Sequence, residues 1–248
     1  MNSPLVSTAL PHTDYKLIDE LIDKQRFGVE YQPIVDVRSG EIVAFEALAR
    51  FYTSMGETIS PQQVFDVLHN NTEMLVKTEL ALKKLQLDYA PDAYQLFLNI
   101  DPHAVDCKPD NPCELMCLIA NGKDVVVELI ENSDIHEARM SEQIHNFLRH
   151  KGIKTALDDI GADHALLSLE IFSLVDYLKF DRSWLQKLQQ SRYEKLFHSI
   201  LDYANTSGKQ TVLEGIETDQ QLQMAKQNQI KFVQGFIFRS QFRQVKPG

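Results

Sequence analysis

The sequence lacks the features that mark membrane proteins, secreted proteins and nucleic-acid-binding proteins. No apolar run approaches the roughly 18–20 residues that cross a bilayer, and no secretory signal opens the chain. The formal net charge is -10, whereas a surface that binds a nucleic-acid polymer needs an excess of basic residues. We therefore expect a cytoplasmic protein that binds neither a membrane nor a nucleic-acid polymer. A small anionic ligand held by metal ions remains compatible with the negative charge.

Cysteine is scarce and confined to one segment. The three cysteines, Cys107, Cys113 and Cys117, lie within the string DCKPDNPCELMC. No fourth ligand completes a zinc pattern around them, and a disulfide is unfavourable in a reducing compartment. We expect these cysteines to be reduced and structural.

Linkers rich in Gly, Ser or Pro and low-complexity tracts are also missing from the 248 residues. With 44% hydrophobic and 24% charged residues, the composition is ordinary for a globular protein that buries a large core. The chain is therefore predicted to form a single domain over residues 1–248. Its core should span about 27–242, and residues 1–12 should be a poorly ordered lead-in.

What the sequence does contain is a regular alternation of strand-like and helix-like segments. Two apolar runs at residues 26–37 and 41–51, separated by Arg38, Ser39 and Gly40, predict an antiparallel hairpin. The strands predicted after it are YQLFLNI, VVVELI, IKTALDDI, YLKFD, QTVLEG and KFVQGFIF. The helices predicted between them lie near Pro61–His69, Glu73–Leu87, Ile135–Lys151, Arg192–Thr206 and Asp219–Gln227, and a short helix is predicted before YLKFD. The segment CELMCLIA precedes the strand VVVELI.

This order predicts an α/β fold, a TIM-like (β/α)8 barrel with one antiparallel strand contributed by the N-terminal hairpin. The later apolar runs are nearly continuous, as expected for strands that are covered on both faces. The main alternative is an open, doubly wound sheet. Against that alternative, no Gly-rich phosphate loop follows the first strand, and polar residues recur at nearly every strand end.

Those polar residues are the most informative feature of the chain. They close, or nearly close, the predicted strands and are Glu46, Asn99, Glu128, Asp158, Asp159, Glu214 and Gln234, with Lys179 beside them. In a barrel the strand ends meet on one face, so these side chains should converge. Burying so many carboxylates together is costly unless cations neutralise them. Oxygen ligands of this kind suit Mg²⁺ or Mn²⁺ and phosphoryl chemistry, which predicts a divalent-metal site.

The same residues fall within strings that resemble a known family. EALAR at Glu46–Arg50 is similar to the signature of the EAL domain, a phosphodiesterase domain for cyclic di-GMP. The other similar strings occur along the chain in the family's order. They are YQPIVD before EALAR, and FLNI, VELIE, LDDIG, LKFDR, LEGIET and VQGFIF after it. The resemblance spans roughly Phe27 to Phe242, nearly the whole chain.

The resemblance implies a site for two ions, Mg²⁺ or Mn²⁺. The implied ligands are Glu46, Asn99, Glu128 and Asp158 for one ion and Asp158, Asp159 and Glu214 for the other. A water shared by the two ions would be the nucleophile, and Lys179 would orient it or help to deprotonate it. Attack on phosphorus in line with the leaving 3′-oxygen would open cyclic di-GMP to linear pGpG. Glu46, Lys179 and Glu214 are the implied catalytic residues.

Three further residues are implied contacts to the phosphates and guanines of the substrate, namely Gln32, Arg50 and Gln234. A surface ion pair is the alternative for Arg50. A hydrogen bond within the hairpin is the alternative for Gln32.

Two other charged residues have alternatives of their own. Lys179 has a structural alternative as a barrel lysine paired with Asp181 or Glu214. Glu131 points away from the metal ligands if its strand continues, and the matching residue of the family supports the loop after LDDIG.

That loop departs from the family pattern. Where the family has DDFGTGYSSL, the chain has DDIGADHALLSL, so Ile160 replaces Phe, Asp163 replaces Gly, His164 replaces Tyr, and Ala165 and Leu166 replace the paired Ser. The lost hydroxyls are the expected partners of Glu131, and Asp163 is predicted to cap a helix that starts near His164. In the family the loop is associated with the second metal and with the dimer interface. The altered loop therefore bears on turnover and on whether a homodimer forms.

The function predicted from the sequence is metal-dependent hydrolysis of cyclic di-GMP. The alternative is a catalytically weak module of the same type that binds cyclic di-GMP, or a protein partner, as a receptor or regulator. An unrelated carboxylate-rich barrel enzyme, such as an enolase-type lyase, would also pair Mg²⁺ with a lysine. It would not explain eight matching segments in one order.

Overall fold

The computed structural model of the protein describes residues 15–105, 113–129, 135–163 and 166–246. The lead-in at residues 1–12, Cys107, Glu131 and His164 lie outside the described residues, and what was predicted for them stays a prediction. Within the described ranges, every helix is too short or too polar to span a bilayer.

Strands and helices alternate along the chain after an initial helix. The strands are β1 (Phe27–Asp36), β2 (Ile42–Tyr52), β3 (Thr58–Ile59), β4 (Gln95–Asn99), β5 (Val125–Leu129), β6 (Lys154–Ile160), β7 (Tyr177–Phe180), β8 (Gln210–Leu213), β9 (Phe232–Val233) and β10 (Arg243–Val245). The helices are α1 (Tyr15–Asp23), α2 (Pro61–Leu68), α3 (Thr72–Asp88), α4 (Glu114–Ala120), α5 (Ile135–His150), α6 (Leu169–Leu174), α7 (Trp184–Lys187), α8 (Ser191–Thr206) and α9 (Asp219–Gln227). Short 3₁₀ helices lie at Pro102–Ala104 and Phe236–Gln241.

Eight of these strands close into a barrel in the order β1, β2, β4, β5, β6, β7, β8, β9. Strand β1 runs antiparallel to both of its barrel neighbours, β2 and β9, and the other neighbours pair in parallel. The two short strands β3 and β10 add to the outside of this ring through β2 and β1. The predicted TIM-like barrel with one antiparallel strand from the hairpin is therefore confirmed.

Helices α3, α6 and α9 begin after residues whose side chains satisfy an unpaired backbone N–H group of the first turn. Asn71 Oδ1 accepts a hydrogen bond from Met74 N at 3.2 Å at the start of α3. At α9, Thr218 and Gln221 form a reciprocal capping box, in which each side chain accepts from the other residue's backbone N–H. These local signals fix the start of α9 at Asp219, as the sequence predicted.

The last predicted strand, KFVQGFIF, is shorter than expected, because its backbone turns at Gly235. Strand β9 ends at Val233, and Gly235 has φ 157, a conformation that side chains with a Cβ rarely adopt. A Cβ added at Gly235 would lie 2.2 Å from the backbone oxygen of Ile216. The close approach of these two backbones requires glycine and diverts the chain into the 3₁₀ helix that follows.

Helix α1 is a feature that the sequence analysis did not predict. Its residues Ile18, Leu21 and Ile22 are buried and belong to the main hydrophobic core. This core fills the space between the barrel and its surrounding helices, and it continues along the outward-facing residues of the strands.

Inside the barrel, a separate apolar layer takes one buried side chain from each of the eight strands. Its members are Ile34, Ala44, Phe97, Val126, Ala156, Tyr177, Val212 and Phe232. Successive side chains of a strand point to opposite faces, so the residue two positions further along points into the same interior. In the seven parallel strands that residue lies towards the carboxyl end. In β1, which runs the other way, the corresponding residue comes two positions earlier.

Candidate active site

A polar layer lies directly above the apolar one, as the strand alternation requires. Counting two residues on from each apolar member, or two back in β1, gives Gln32, Glu46, Asn99, Glu128, Asp158, Lys179, Glu214 and Gln234. All eight were singled out from the sequence, and the barrel brings them together at the carboxyl ends of its parallel strands. Six of the seven predicted strand-end residues therefore lie in this layer. The seventh, Asp159, follows Asp158 in a distorted stretch and lies next to the layer, close to Asp158 and Glu214.

Lys179 lies at the centre of the polar layer and is fully buried. Its Nζ is 2.9 Å from Asp158 Oδ1, 2.8 Å from Glu214 Oε1 and 3.5 Å from Glu46 Oε2, and it also forms an ion pair with Glu128. The pairing with Glu214 agrees with the structural alternative for this lysine. A pair with Glu214 alone does not describe the site, however, because the ammonium group also contacts Glu46, Glu128 and Asp158. It therefore lies among four of the expected metal ligands.

The surroundings of Lys179 change the ionisation of every member of this group. Burial opposes the charged lysine, but the carboxylates of Asp158, Glu128, Glu214 and Glu46 outweigh it, so the pKa of Lys179 is raised well above its ordinary value.

The carboxylates themselves respond in different directions. Burial, together with neighbouring carboxylates, raises the pKa of Glu128 and of Glu214 well above the ordinary range, although Lys179 opposes it. Burial and the adjacent Asp158 raise the pKa of Asp159 to about 6. Burial also opposes the charge of Glu46, but Lys179 and hydrogen bonds from Gln234 and Asn99 lower the pKa of this group. One ammonium group therefore leaves the site with an excess of negative charge.

Two of the three amides in the layer, those of Asn99 and Gln234, donate hydrogen bonds to its carboxylates. Asn99 Nδ2 donates to Glu46 Oε1 at 3.0 Å and to Glu128 Oε2 at 2.7 Å. Gln234 Nε2 donates to Glu46 Oε2 at 2.6 Å, while the buried Oε1 of Gln234 has no hydrogen-bond partner among the described residues. These contacts fix the orientation of Glu46, which is 5% exposed.

Two groups of carboxylates have the spacing of metal ligands. Glu46, Glu128 and Asp158 form one triad and Asp158, Asp159 and Glu214 the other, with the candidate ligand atoms of each triad within 4.8 Å of one another. Asp158 belongs to both. Carboxylate and amide oxygens are ligands that hard divalent cations prefer, and two such cations would neutralise the excess negative charge. The residues present therefore fit a divalent-metal centre.

Asp159 reaches the site through an unusual backbone conformation. Its φ is 56, in the left-handed region that residues with a Cβ seldom occupy, and the pairing of β6 with β7 shifts register between Leu157 and Ile160. Such strain persists only where the surroundings hold it, and it is common at functional sites. The distortion turns two consecutive carboxylates, Asp158 and Asp159, towards the same cleft.

The altered loop is anchored from below by α7. The Trp184 indole Nε1–H donates to Ile160 O at 2.7 Å, and the Lys187 ammonium donates to Gly161 O and to Ser183 Oγ. Gly161 has φ 84, and a Cβ there would lie 2.4 Å from Trp184 Nε1. The start of the loop is thus held by groups that the sequence analysis did not identify.

The prediction that Asp163 caps the next helix is wrong. Helix α6 begins at Leu169, and Ser168 is its cap, with Oγ accepting from Ile171 N at 3.4 Å. The side chain of Asp163 is 84% exposed and lies 3.6 Å from Lys187 Nζ.

The three predicted substrate contacts line a cleft of about 570 Å³ above the polar layer. Arg50 Nη2 donates to Glu30 Oε1 at 2.6 Å, and Gln32 Nε2 donates to the same oxygen at 3.0 Å. The contact of Gln32 with Glu30 lies within the hairpin, as the alternative for Gln32 expected, and Gln32 Oε1 also accepts from Gln234 Nε2, beyond the hairpin, at 3.4 Å. Arg50 forms an ion pair, but its partner Glu30 is a buried residue, so the pair does not lie at an open surface.

Glu30 is a residue of this cleft region that the sequence analysis missed. Burial opposes its charge, but hydrogen bonds from Gln32 and Gln244 and the charge of Arg50 hold the pKa of Glu30 below its ordinary value. The alternation of the strand could have identified it, because Glu30 lies two residues before Gln32 and therefore on the same face of β1.

The chain belongs to the EAL domain family, whose family model matches residues 16–241. It is 27% identical over 226 residues to the probable cyclic di-GMP phosphodiesterase PdeN of Escherichia coli K12, covering 87% of this chain and 43% of the relative. It is 26% identical over 230 residues to the probable cyclic di-GMP phosphodiesterase PdeB of the same organism, covering 89% of this chain and 44% of the relative. The chain thus spans less than half the length of these relatives.

Solved structures agree with the fold. An EAL domain protein from Listeria monocytogenes EGD-e has a TM-score of 0.72 and 22% sequence identity, and 96% of each chain is covered. The Bacillus subtilis YkuI protein, which has an EAL domain and was solved in complex with its substrate c-di-GMP and calcium, has a TM-score of 0.73 and 24% identity. That match covers 89% of this chain and 56% of the YkuI chain.

Proposed function

We propose that the chain hydrolyses cyclic di-GMP to linear pGpG with two bound divalent cations, Mg²⁺ or Mn²⁺. The observation that carries this proposal is the pair of carboxylate triads that share Asp158 and meet above a closed apolar layer. The names of relatives support it, since PdeN is called a probable cyclic di-GMP phosphodiesterase and YkuI was solved with this substrate and calcium.

The proposed roles follow the positions of the residues in the polar layer. The proposed ligands are Glu46, Asn99, Glu128 and Asp158 for one cation and Asp158, Asp159 and Glu214 for the second. When bound, the two cations would act as Lewis acids that activate water and stabilise charge on the phosphate. The apolar layer below excludes solvent from the underside of the site.

Lys179 is proposed to orient the attacking water. Its Nζ lies 2.9 Å from Asp158 Oδ1 and 2.8 Å from Glu214 Oε1, so the ammonium group touches both triads. Once cations neutralise these carboxylates, the N–H groups of the lysine can donate to a water or to a phosphate oxygen. Full burial restricts the side chain to this region.

Substrate binding is assigned to Gln32, Arg50 and Gln234, which line the cleft above the triads. Arg50 offers a planar pair of donors that suits a phosphate, and Glu30 holds it in place through the 2.6 Å hydrogen bond. Gln234 donates to Glu46 and so connects the substrate pocket to the first triad.

The test is to incubate the protein with cyclic di-GMP and either Mg²⁺ or Mn²⁺ and to measure pGpG. Glu46→Gln removes one ligand charge at nearly constant shape, and we expect turnover to fall at least about a hundredfold, since loss of a supporting contact alone costs 10–100-fold. Glu41→Gln is the matched control, because Glu41 is exposed at the hairpin turn, and it should keep wild-type turnover.

The same experiment decides the alternative of a receptor with little or no activity. That alternative is favoured by the altered loop, where Asp163 is exposed and its carboxylate lies 3.6 Å from Lys187. Binding of cyclic di-GMP without pGpG in either metal would support the receptor and reject the enzyme. Absence of both binding and turnover would reject the enzyme and the cyclic di-GMP receptor, and would leave a module that binds a protein partner. Formation of a homodimer and binding of a protein partner remain predictions. Light scattering tests the first, and binding assays test the second.

A further inference from the structure

We propose that His69, Asp101 and His103 form a second metal site at the rim of the cleft, distinct from the carboxylate triads, and that it takes Zn²⁺ or a similar nitrogen-preferring divalent ion. We call these three residues the rim triad. The proposal does not depend on hydrolysis of cyclic di-GMP.

The rim triad brings together side chains from two separate parts of the chain. His69 directly follows α2, whereas Asp101 and His103 follow β4. His69 Nε2 is 2.5 Å from Asp101 Oδ2, and His103 Nδ1 is 3.2 Å from Asp101 Oδ1. The candidate ligand atoms of the three residues lie within 4.8 Å of one another, close to the spacing of about 3–4 Å that a tetrahedral ion with bonds of 2.0–2.2 Å imposes.

The chemistry of these donors differs from that of the polar layer. Two imidazoles and one carboxylate are a donor set that Zn²⁺ and related transition metals use, with three protein ligands and one open position. Mg²⁺ and Mn²⁺ prefer oxygen ligands, which the carboxylate triads supply. The rim triad should therefore prefer Zn²⁺ over Mg²⁺ more strongly than the carboxylate triads do.

Asp101 is already held in the position that a ligand needs. Its Oδ1 accepts a hydrogen bond from His103 N at 2.9 Å, which fixes the carboxylate at the start of the short 3₁₀ helix. Its side chain is 11% exposed, whereas the side chains of His69 and His103 are 42% and 43% exposed. An ion can therefore reach the imidazoles without any opening of the fold.

The position of the rim triad connects it to the candidate active site. His69 and Asp101 line the same cleft as Glu46 and Asn99, and Asp101 follows Asn99 by two residues. An ion at the rim triad would tie the end of α2 to the end of β4. The free position of such an ion would be accessible from the cleft.

The experiment measures Zn²⁺ binding to chelator-treated protein by calorimetry in the presence of excess Mg²⁺, which is added to compete for the carboxylate triads. We expect wild-type protein to bind Zn²⁺ under these conditions and to melt at a higher temperature when Zn²⁺ is added. His69→Ala and His103→Ala should each weaken Zn²⁺ binding by more than about tenfold, because each removes a direct ligand. They should also lose the thermal shift.

Two controls keep the interpretation specific. His198→Ala removes an exposed histidine of α8 and should bind Zn²⁺ as the wild type does. Glu46→Gln changes the first carboxylate triad and should also leave Zn²⁺ binding unchanged. If wild-type protein binds no Zn²⁺ in excess Mg²⁺, or if both rim variants bind it as tightly as wild type, the proposal is wrong. The circular dichroism spectrum of each variant shows whether it is folded. If His69→Ala is unfolded, His69→Gln is used in its place.

Discussion

Two neighbouring layers inside the barrel come from the same eight strands but differ in polarity, one being apolar and the other mostly charged. The apolar layer consists of Ile34, Ala44, Phe97, Val126, Ala156, Tyr177, Val212 and Phe232, and its one hydroxyl, on Tyr177, donates to Gln95 Oε1 at 2.6 Å. The polar layer lies two residues nearer the cleft on each strand and contains four carboxylates, the three neutral amides of Gln32, Asn99 and Gln234, and one lysine. Burial of the first layer stabilises the protein because apolar surface is removed from water. Burial of the second layer destabilises it because charged groups are removed from water.

The comparison separates the layer that stabilises the fold from the layer whose burial costs free energy. Burial of carboxylates costs several kcal/mol per ion unless an opposite charge and hydrogen bonds compensate, whereas each buried apolar side chain contributes about 1.5–3 kcal/mol. The barrel places the costly groups next to the cleft and supports them from below with packed side chains. We therefore expect substitutions in the two layers to separate stability from chemistry.

The largest effect is expected when the polar layer loses its lysine. Lys179→Met removes the one ammonium group that the described residues place among these carboxylates, so their repulsion is uncompensated. The metal-free protein should lose about 3–5 kcal/mol of unfolding free energy, measured by urea denaturation, and turnover should be abolished. Lys226→Met, at an exposed position of α9, should change neither quantity. A wild-type denaturation midpoint for Lys179→Met would contradict this reading of the layer.

The next effect tests the apolar layer alone. Phe97→Ala removes a buried ring whose centroid lies 5.0 Å from that of Tyr177, in an edge-on arrangement. We expect a loss of about 3 kcal/mol of unfolding free energy through the cavity that remains. Metal should still raise the melting temperature, because the triads keep their groups. Phe236→Ala, at a residue that is 57% exposed, is the control and should cost about 0.5 kcal/mol or less. Loss of the metal response in Phe97→Ala would mean that the two layers are not separable.

The smallest effect concerns pH in the absence of metal. Glu128, Glu214 and Asp159 have raised pKa values in the folded protein, that of Asp159 reaching about 6, so the folded state binds more protons than the unfolded state above the ordinary carboxylate range. Unfolding free energy should therefore fall as the pH rises from 5 to 8. We expect the melting temperature to drop by a few degrees, since 1 kcal/mol corresponds to about 2–4 °C for a chain of this size.

Divalent cations should reverse that trend, because they replace protons on the same carboxylates. Mn²⁺ should raise the melting temperature more at pH 8 than at pH 5. Asp159→Asn should flatten the pH dependence of the metal-free protein. Metal-free protein that becomes more stable between pH 5 and pH 8 would show that the sign is wrong.

Much of the barrel could be predicted from the sequence because its signals are local. Strands β1, β2 and β4 to β8 and helix α9 were placed within a few residues, since near-continuous apolar runs and capping residues mark them. The two-residue strand β3 was not predicted. The end of β9 could not be predicted, because it depends on the contact of Gly235 with Ile216, two residues that are distant in sequence. Helix α1 was missed for a similar reason, since its burial comes from packing against the finished barrel.

The candidate site was predictable as a set of residues but not as a network. Strand-end position identified Glu46, Glu128 and Asp158, and the barrel geometry then brought them together. The partners of these residues were hidden, because a sequence does not state that Glu30 holds Arg50 or that Trp184 and Lys187 hold the loop. The sequence pattern also gave no sign that His69, from a helix end, would meet Asp101.

The position of Lys179 has a consequence for how the protein is made. A site built for cations would ordinarily resist closing until the cations arrive, since bare carboxylates repel one another. Here the chain carries its own positive group into the middle of them. The newly synthesised polypeptide can therefore fold before any cation binds, because the lysine ammonium group already lies among the carboxylates that the proposed cations would contact.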